Sequence, residues 1–258
     1  MNVFVFDIET IPDVDAGRRI YELDGLNDDD VAKVMFHKRR EQTGDSDFLR
    51  LHLHQIVAIS AVFRHGDGLK VWTLGDPESS EAEIVRRFFD GIKRFTPTLV
   101  SWNGGGFDLP VLNYRALKHG IVAQRYWDMG EDDRDFKWNN YVNRYHQRHT
   151  DLMDMLAMFS PRANAPLDEI AVMLGYPGKM GMSGAKVWGQ YQQGNIMDIR
   201  NYCETDVLNT YLVYLRWLLN RGQLTQSALE KEETLVKETL KSENKPHLAD
   251  FLQAWEQG

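Results

Sequence analysis

Residues Val3 to Thr10, V-F-V-F-D-I-E-T, leave this chain little freedom in how it folds. The apolar run predicts a short buried β-strand, and a strand sends residues i and i+2 to the same face. Asp7 and Glu9 therefore point one way while Ile8 points back into apolar packing. Two carboxylates that close repel each other unless a cation lies between them. Hard oxygen ligands of this kind suit Mg²⁺ or Mn²⁺ rather than Zn²⁺, which favours nitrogen and sulfur. The same three residues also fit an ordinary strand end with solvated or turn-capping acids, so D-x-E needs context from the rest of the chain.

Composition narrows that context. At 258 residues and 43% hydrophobic, the chain can bury a sizeable core as one large domain or one domain with an appendage. The single cysteine, Cys203, excludes an internal disulfide framework and a CxxC zinc site. No apolar run has the length of a bilayer crossing, and no basic segment precedes the first apolar one as in a signal peptide. A cytoplasmic location without membrane association is the expectation. A net charge of -8 argues against nonspecific coating of nucleic acid, whose polyanionic backbone draws on Lys and Arg; it leaves room for a local groove.

Along the chain, Asp28 to Gln42 reads as a helix with acids at its start and bases at its end, as the helix dipole favours. Its run Lys38-Arg39-Arg40 is either a solvated helix end or a phosphate contact. Gln55 to Phe63 and Leu69 to Leu74 flank the hairpin signal His65-Gly66-Asp67-Gly68. Ser80-Glu81-Ala82-Glu83 fits a capping box before an amphipathic helix through Phe95, and Thr98 to Trp102 follows as another buried strand. That β-β-β-α-β order, then alternating helices, predicts a mixed α/β sheet.

The second acidic segment is Asn103-Gly104-Gly105-Gly106-Phe107-Asp108, after the fourth strand. Its glycines permit tight turns and close approach of a ligand, and Asp108 falls at a helix N-terminus, either as a simple N-cap or as a ligand. The third is Tyr202-Cys203-Glu204-Thr205-Asp206 inside a helix from about 196 to 219. Tyr202 and Asp206, spaced i and i+4, share one face. An acid on that apolar stripe is costly unless paired or metal-bound.

Taken together, D-x-E on a first strand, N-x-x-x-F-D after a later strand and Y-x-x-x-D on a late helix resemble the DEDD superfamily of 3′–5′ exonucleases. The Asn103–Asp108 form is similar to the proofreading domain of family-B DNA polymerases. Residues 1 to about 220 as a whole resemble the stand-alone, predicted polymerase-B-like 3′–5′ exonucleases, in the tyrosine subclass. The resemblance implies an RNase H-like fold, a mixed central sheet flanked by helices over residues 1–222; outside the resemblance, residues 223–258 read as a charged, helix-prone C-terminal extension. It implies two divalent cations, Mg²⁺ or Mn²⁺, with Asp7 bridging both, Glu9 and Asp206 completing the nucleophile-side site, and Asp108 holding the second through water. Tyr202 would aim the attacking water; its ordinary pKa near 10 makes it a poor general base. Thr10 and Phe107 either hold the terminal nucleotide or serve as packing residues, and Asn103 is a further substrate contact; Lys179 and Lys186, in the loop before the last catalytic helix, stand within reach of phosphate, Lys186 as a substrate contact. The implied activity is removal of nucleotides from the 3′ ends of single-stranded nucleic acid, DNA favoured over RNA, releasing 5′-nucleoside monophosphates. A catalytically silent nucleic-acid-binding module on the same fold is the alternative, and an RNase H-like endonuclease shares the acids but not the tyrosine.

Between the second and third segments, Gln124 to Thr150 interleaves Trp127, Trp138, Tyr141 and Tyr145 with Arg134, Lys137, Arg144 and Arg148. It fits either a lip that stacks single-strand bases or a satellite aromatic cluster. Asp151 is expected behind the ligands rather than among them.

Overall fold

The structure, a computed structural model, describes residues 1–257. Five strands form one sheet: β1 (Asn2–Pro12), β2 (His54–His65), β3 (Gly68–Thr73), β4 (Thr98–Ser101) and β5 (His149–Asp151), in the order β3-β2-β1-β4-β5. β1, β2 and β3 pair antiparallel, while β4 and β5 run parallel to β1. The helices are α1 (Val14–Ile20), α2 (Asp28–Thr43), α3 (Glu81–Phe95), α4 (Asp108–Lys118), α5 (Gln124–Trp127), α6 (Leu152–Leu156), α7 (Leu167–Met173), α8 (Val187–Gln192), α9 (Ile196–Asn220), α10 (Gln226–Ser242) and α11 (Pro246–Gln257). None of them is long and apolar enough to cross a membrane. The expected mixed α/β sheet flanked by helices, with a helical C-terminus, is what forms.

β1 is central and covered on both faces, which is why it reads as a continuous apolar run rather than as an alternation. Val3 and Val5 face α9, packing with Val207, Leu208 and Tyr211. Phe4, Phe6 and Ile8 face α3 and α4, among Phe88, Phe89 and Leu112. The capping box holds α3 as read, with the Ser80 side chain accepting from Glu83 N–H.

One register detail places everything that follows. β4 pairs with β1 only from Val3 to Val5, yet β1 runs on to Pro12. Past Val5 the β4-side edge of β1 is unpaired, and a cleft opens between the carboxyl ends of the two parallel strands. Asp7 and Glu9 stand on that stretch. Open α/β sheets place their sites at such strand ends.

The aromatic insertion packs at the opposite end. Tyr141 is buried and its hydroxyl donates to the Pro97 carbonyl, just before β4 begins. Phe136 joins the α3-side core, with the Arg148 guanidinium stacked 3.9 Å above its ring. Tyr141 is therefore a core residue and no stacking platform. Trp138 and Tyr145 stay exposed, on a segment anchored at the amino ends of β4 and β5. At the C-terminus, α10 and α11 bury Leu229, Val236, Leu240, Leu248 and Phe251 in the same core as α9. Buried Arg64 of β2 bridges to Glu232 of α10 at 2.8 Å.

Candidate active site

Four carboxylates meet at the cleft, each delivered by local geometry. The pleat of β1 supplies Asp7 and Glu9 on the α9 side, because they share parity with Val3 and Val5. α9 supplies Asp206, with Tyr202 one turn earlier. Asp108 comes from the other side, where the glycine turn after β4 enters α4. Asp108 is the first residue of α4 and Phe107 its N-cap, so Asp108 does not cap the helix. Its Oδ1 instead accepts the backbone N–H of Ile8 at 3.2 Å. That N–H is free because β4 has already diverged, so the break in strand pairing is what admits the second acidic segment.

The glycine turn is held by Asp151, whose carboxylate accepts N–H groups from Asn103 at 2.9 Å and Gly105 at 2.8 Å. Asn103 is left-handed at φ 62°, and a Cβ on Gly104 would run into the Ser101 hydroxyl. Ser101 is itself bonded to His149 Nε2 at 2.8 Å. Burial pushes His149 down to about 4, so it is neutral and the turn rests on uncharged contacts on that side. Asp151 acts behind the acids, as expected of it.

Electrostatics separates this cluster from ordinary surface acids. Asp7 is raised well above the usual Asp range by burial and then by Asp108, Glu9 and Asp206. Glu9 is raised well by burial and by Asp206 and Asp108, with Lys179 pulling the other way. Burial lifts Asp108 to about 7 and Asp206 to about 6. No Arg, Lys or His makes an ion pair with any of the four among the described residues. Acids that close and that poorly compensated call for a cation.

Ligand atoms of Asp7, Glu9 and Cys203 can all lie within 4.8 Å of one another. Cys203 had not stood out as a site residue in the sequence. Its Sγ donates to Asp7 Oδ2 at 3.6 Å, and burial pushes the thiol well up, so it stays protonated as a donor. What remains to hold an ion is an all-oxygen carboxylate set, which fits hard divalent cations such as Mg²⁺ or Mn²⁺.

A cleft of ≈ 570 Å³ beside this cluster is lined by Trp102, Asn103, Asp168, Lys179, Tyr202 and Asp206. A second, of ≈ 370 Å³, lies on the other side of Tyr202 and contains Lys186 with Asn201 and His247. Asn103 and Lys179 thus face the acids, while Lys186 sits one cleft away. Burial, and the carboxylates of Asp206, Glu9 and Asp7, raise Tyr202 far above the ordinary phenol value. On the α4 flank, Phe107 packs its ring 5.2 Å from His54, and Thr10 Oγ1 bonds His54 Nδ1 at 2.8 Å. The basic run on α2 does not reach the site: Lys38 lies over Tyr21, Arg39 holds the Phe48 carbonyl and Arg40 pairs with Asp47.

Relatives place the chain. A family model described as a predicted 3′–5′ exonuclease related to the exonuclease domain of PolB matches residues 46–255. The match runs through α10 and α11, which the sequence resemblance had left out, and begins after β1. DNA polymerase 1 of Sulfurisphaera ohwakuensis is 34% identical over 67 residues, 26% of this chain and 8% of that protein. The family B DNA polymerase of the hyperthermophilic archaeon Pyrobaculum calidifontis superposes with a TM-score of 0.51 at 18% identity, over 85% of this chain and 24% of that one. The chain thus spans under a tenth and about a quarter of these two relatives, and the structural likeness speaks for the fold. With most of its length matched, the chain belongs to the family of predicted 3′–5′ exonucleases related to the exonuclease domain of PolB.

Proposed function

We propose that this protein removes nucleotides one at a time from the 3′ ends of single-stranded nucleic acid, with two divalent cations, releasing 5′-nucleoside monophosphates. The observation that carries this is the convergence of Asp7, Glu9, Asp108 and Asp206, buried or half-buried and with no ion-pair partner among the described residues, with the Tyr202 side chain against Asp206. Asp7, Glu9 and Asp206 would hold one cation and Asp108, with Asp7, the other. When bound, such cations stabilise charge on the attacking and leaving oxygens of a phosphodiester. Tyr202, held protonated, cannot act as a base. Its O–H lies against Asp206, leaving oxygen lone pairs to accept from the attacking water and aim it. Phe107 and Thr10 would receive the terminal nucleotide and Asn103 the adjoining backbone, while Lys186 contacts phosphate further along. DNA is the favoured substrate. The 1–222 portion carries this chemistry; the helices of the 223–258 extension pack against α9, and His247 among them lines the cleft that holds Lys186.

End-labelled single-stranded DNA and RNA, incubated with Mg²⁺ or Mn²⁺, test the proposal. A ladder shortening from the 3′ end is the expected product. Internal cuts would mark an endonuclease, and binding without any product would mark a silent module.

A further inference from the structure

His54 lies 44 residues from Thr10 in sequence, and only the pairing of β1 with β2 brings them together. Its imidazole is buried, with the Phe48 and Phe107 rings each 5.2 Å away. The loop that carries Phe48 is held by two hydrogen bonds: Arg39 Nε donates to the Phe48 carbonyl at 2.7 Å, and Thr43 Oγ1 donates to the Ser46 carbonyl at 2.6 Å. Both ring nitrogens are occupied. Nε2 lies 3.2 Å from the Leu49 carbonyl and Nδ1 2.8 Å from Thr10 Oγ1. A carbonyl only accepts, so Nε2 carries the proton. Burial lowers the His54 pKa, in keeping with a neutral ring. Nδ1 is then an acceptor, and the proton in the second bond is the Thr10 hydroxyl's own.

That arrangement fixes the polarity of Thr10. With its one proton committed to His54 and no other side-chain partner, Oγ1 presents only lone pairs to a ligand. Building on the terminal-nucleotide role given to Thr10 above, we infer that His54 is a specificity-determining positioning residue. It makes Thr10 Oγ1 a pure acceptor that reads the donor of a terminal 3′-hydroxyl and disfavours ends that can only accept, such as a 3′-phosphate dianion. Neither residue touches the reacting phosphorus. His54 acts through Thr10.

Three 5′-labelled oligonucleotides ending in 3′-OH, 3′-H or 3′-phosphate test this through the rate of first cleavage. The hydroxyl end should exceed the 3′-H end by about 2- to 13-fold, the equivalent of one net hydrogen bond, with the phosphate end slowest. Thr10→Val should bring the OH/H ratio to about 1. His54→Phe frees the Thr10 proton to turn outward and should narrow the OH/phosphate ratio several-fold. His54→Asn, whose carbonyl oxygen can replace Nδ1 and whose amide can replace Nε2–H, should restore it. A merely structural His54 would slow all three ends alike and leave the ratios unmoved, which would overturn the inference. Equal wild-type rates on 3′-OH and 3′-H ends would overturn it with no variant needed, even as digestion itself upheld the exonuclease function. Failure of the wild type to digest any of the three would instead remove the exonuclease function on which the inference rests.

Discussion

Two groups of buried or half-buried acids, one including Glu9 of β1 and the other Asp13 four residues on, are treated by the fold in opposite ways. Asp13 and Glu81 converge on Arg115, a guanidinium 2% exposed, with Lys118 2.6 Å from Asp13 and His119 2.7 Å from Glu81. Despite its burial, the lysine and arginine bonds hold Asp13 below the usual carboxylate range. Asp7, Glu9, Asp108 and Asp206 have no such partners and are all pushed up. Both groups cost desolvation. One is neutralised from within the chain and ties β1, α3 and α4 together; the other leaves its charge for something from outside. Unmet charge, rather than acidity or burial, marks the functional cluster, because a closed network has nothing left with which to bind.

The largest contrast comes from removing one charged side chain from each setting. Asp7→Ala should lower the single-turnover rate by about 10³-fold or more, since cation-mediated charge stabilisation contributes several kcal/mol. The same variant, cation-free, should melt at or above the wild-type temperature because repulsion is relieved. A variant with wild-type turnover would detach Asp7 from the chemistry. In the other group the sign reverses. Arg115→Ala leaves Asp13 with only Lys118 and Glu81 with only His119 and should cost about 3–5 kcal/mol in denaturant unfolding, and near-wild-type stability would show the network to be dispensable.

Tyr202→Phe comes next in size. It keeps the ring and deletes only the hydroxyl proposed to orient water. The chemical step should slow by about 10²-fold, toward the lower end for positioned proton-handling groups, with cation affinity little changed. Single-turnover rates at saturating cation are the measurement, because product release can mask the step.

Proton linkage should then show both groups in one titration. Without added cation, Asp108 and Asp206 have folded-state values of about 7 and about 6, above the unfolded value near 3.9. The folded state binds more protons across that interval, so their contribution is present below about pH 4 and lost as pH rises toward 7. Asp13 is depressed, so its contribution runs the other way, present above the unfolded value and lost as pH falls through its folded one. Saturating Mg²⁺ or Mn²⁺ should abolish the decline toward pH 7, adding about 2.7 kcal/mol at a hundredfold excess over Kd. Melting curves with and without chelator read it, and a cation-insensitive profile would refute the ligand assignment. The smallest expected effect concerns the insertion. Because it is anchored at the amino end of β4, Trp138→Ala should leave single-strand affinity within about twofold, against the 1–3 kcal/mol of a real base stack.

Much of the site was legible because local periodicity encodes direction. The two-residue repeat of β1 aimed Asp7 and Glu9 together, the i, i+4 spacing on α9 stacked Tyr202 and Asp206, and three glycines announced the turn that delivers Asp108. The exceptions share a cause. Tyr141 had the composition of a stacking residue and became core, since its partner Pro97 lies 44 residues upstream. Thr10 was legible as a hydroxyl suited to a nucleotide contact, but its partner His54 is set beside it only by pairing with β2.

By itself, then, the sequence determined which way each side chain points and the elements that carry it. Tertiary structure alone decided who meets whom: that Arg115 answers Asp13 while no cation answers Asp7, that Asp151 clamps the glycine turn, and that β4 ends early enough for Asp108 to reach Ile8. Direction is a property of a few consecutive dihedrals. Partnership depends on how strands dozens of residues apart close on one another, and that choice is made by burying the whole of the core at once.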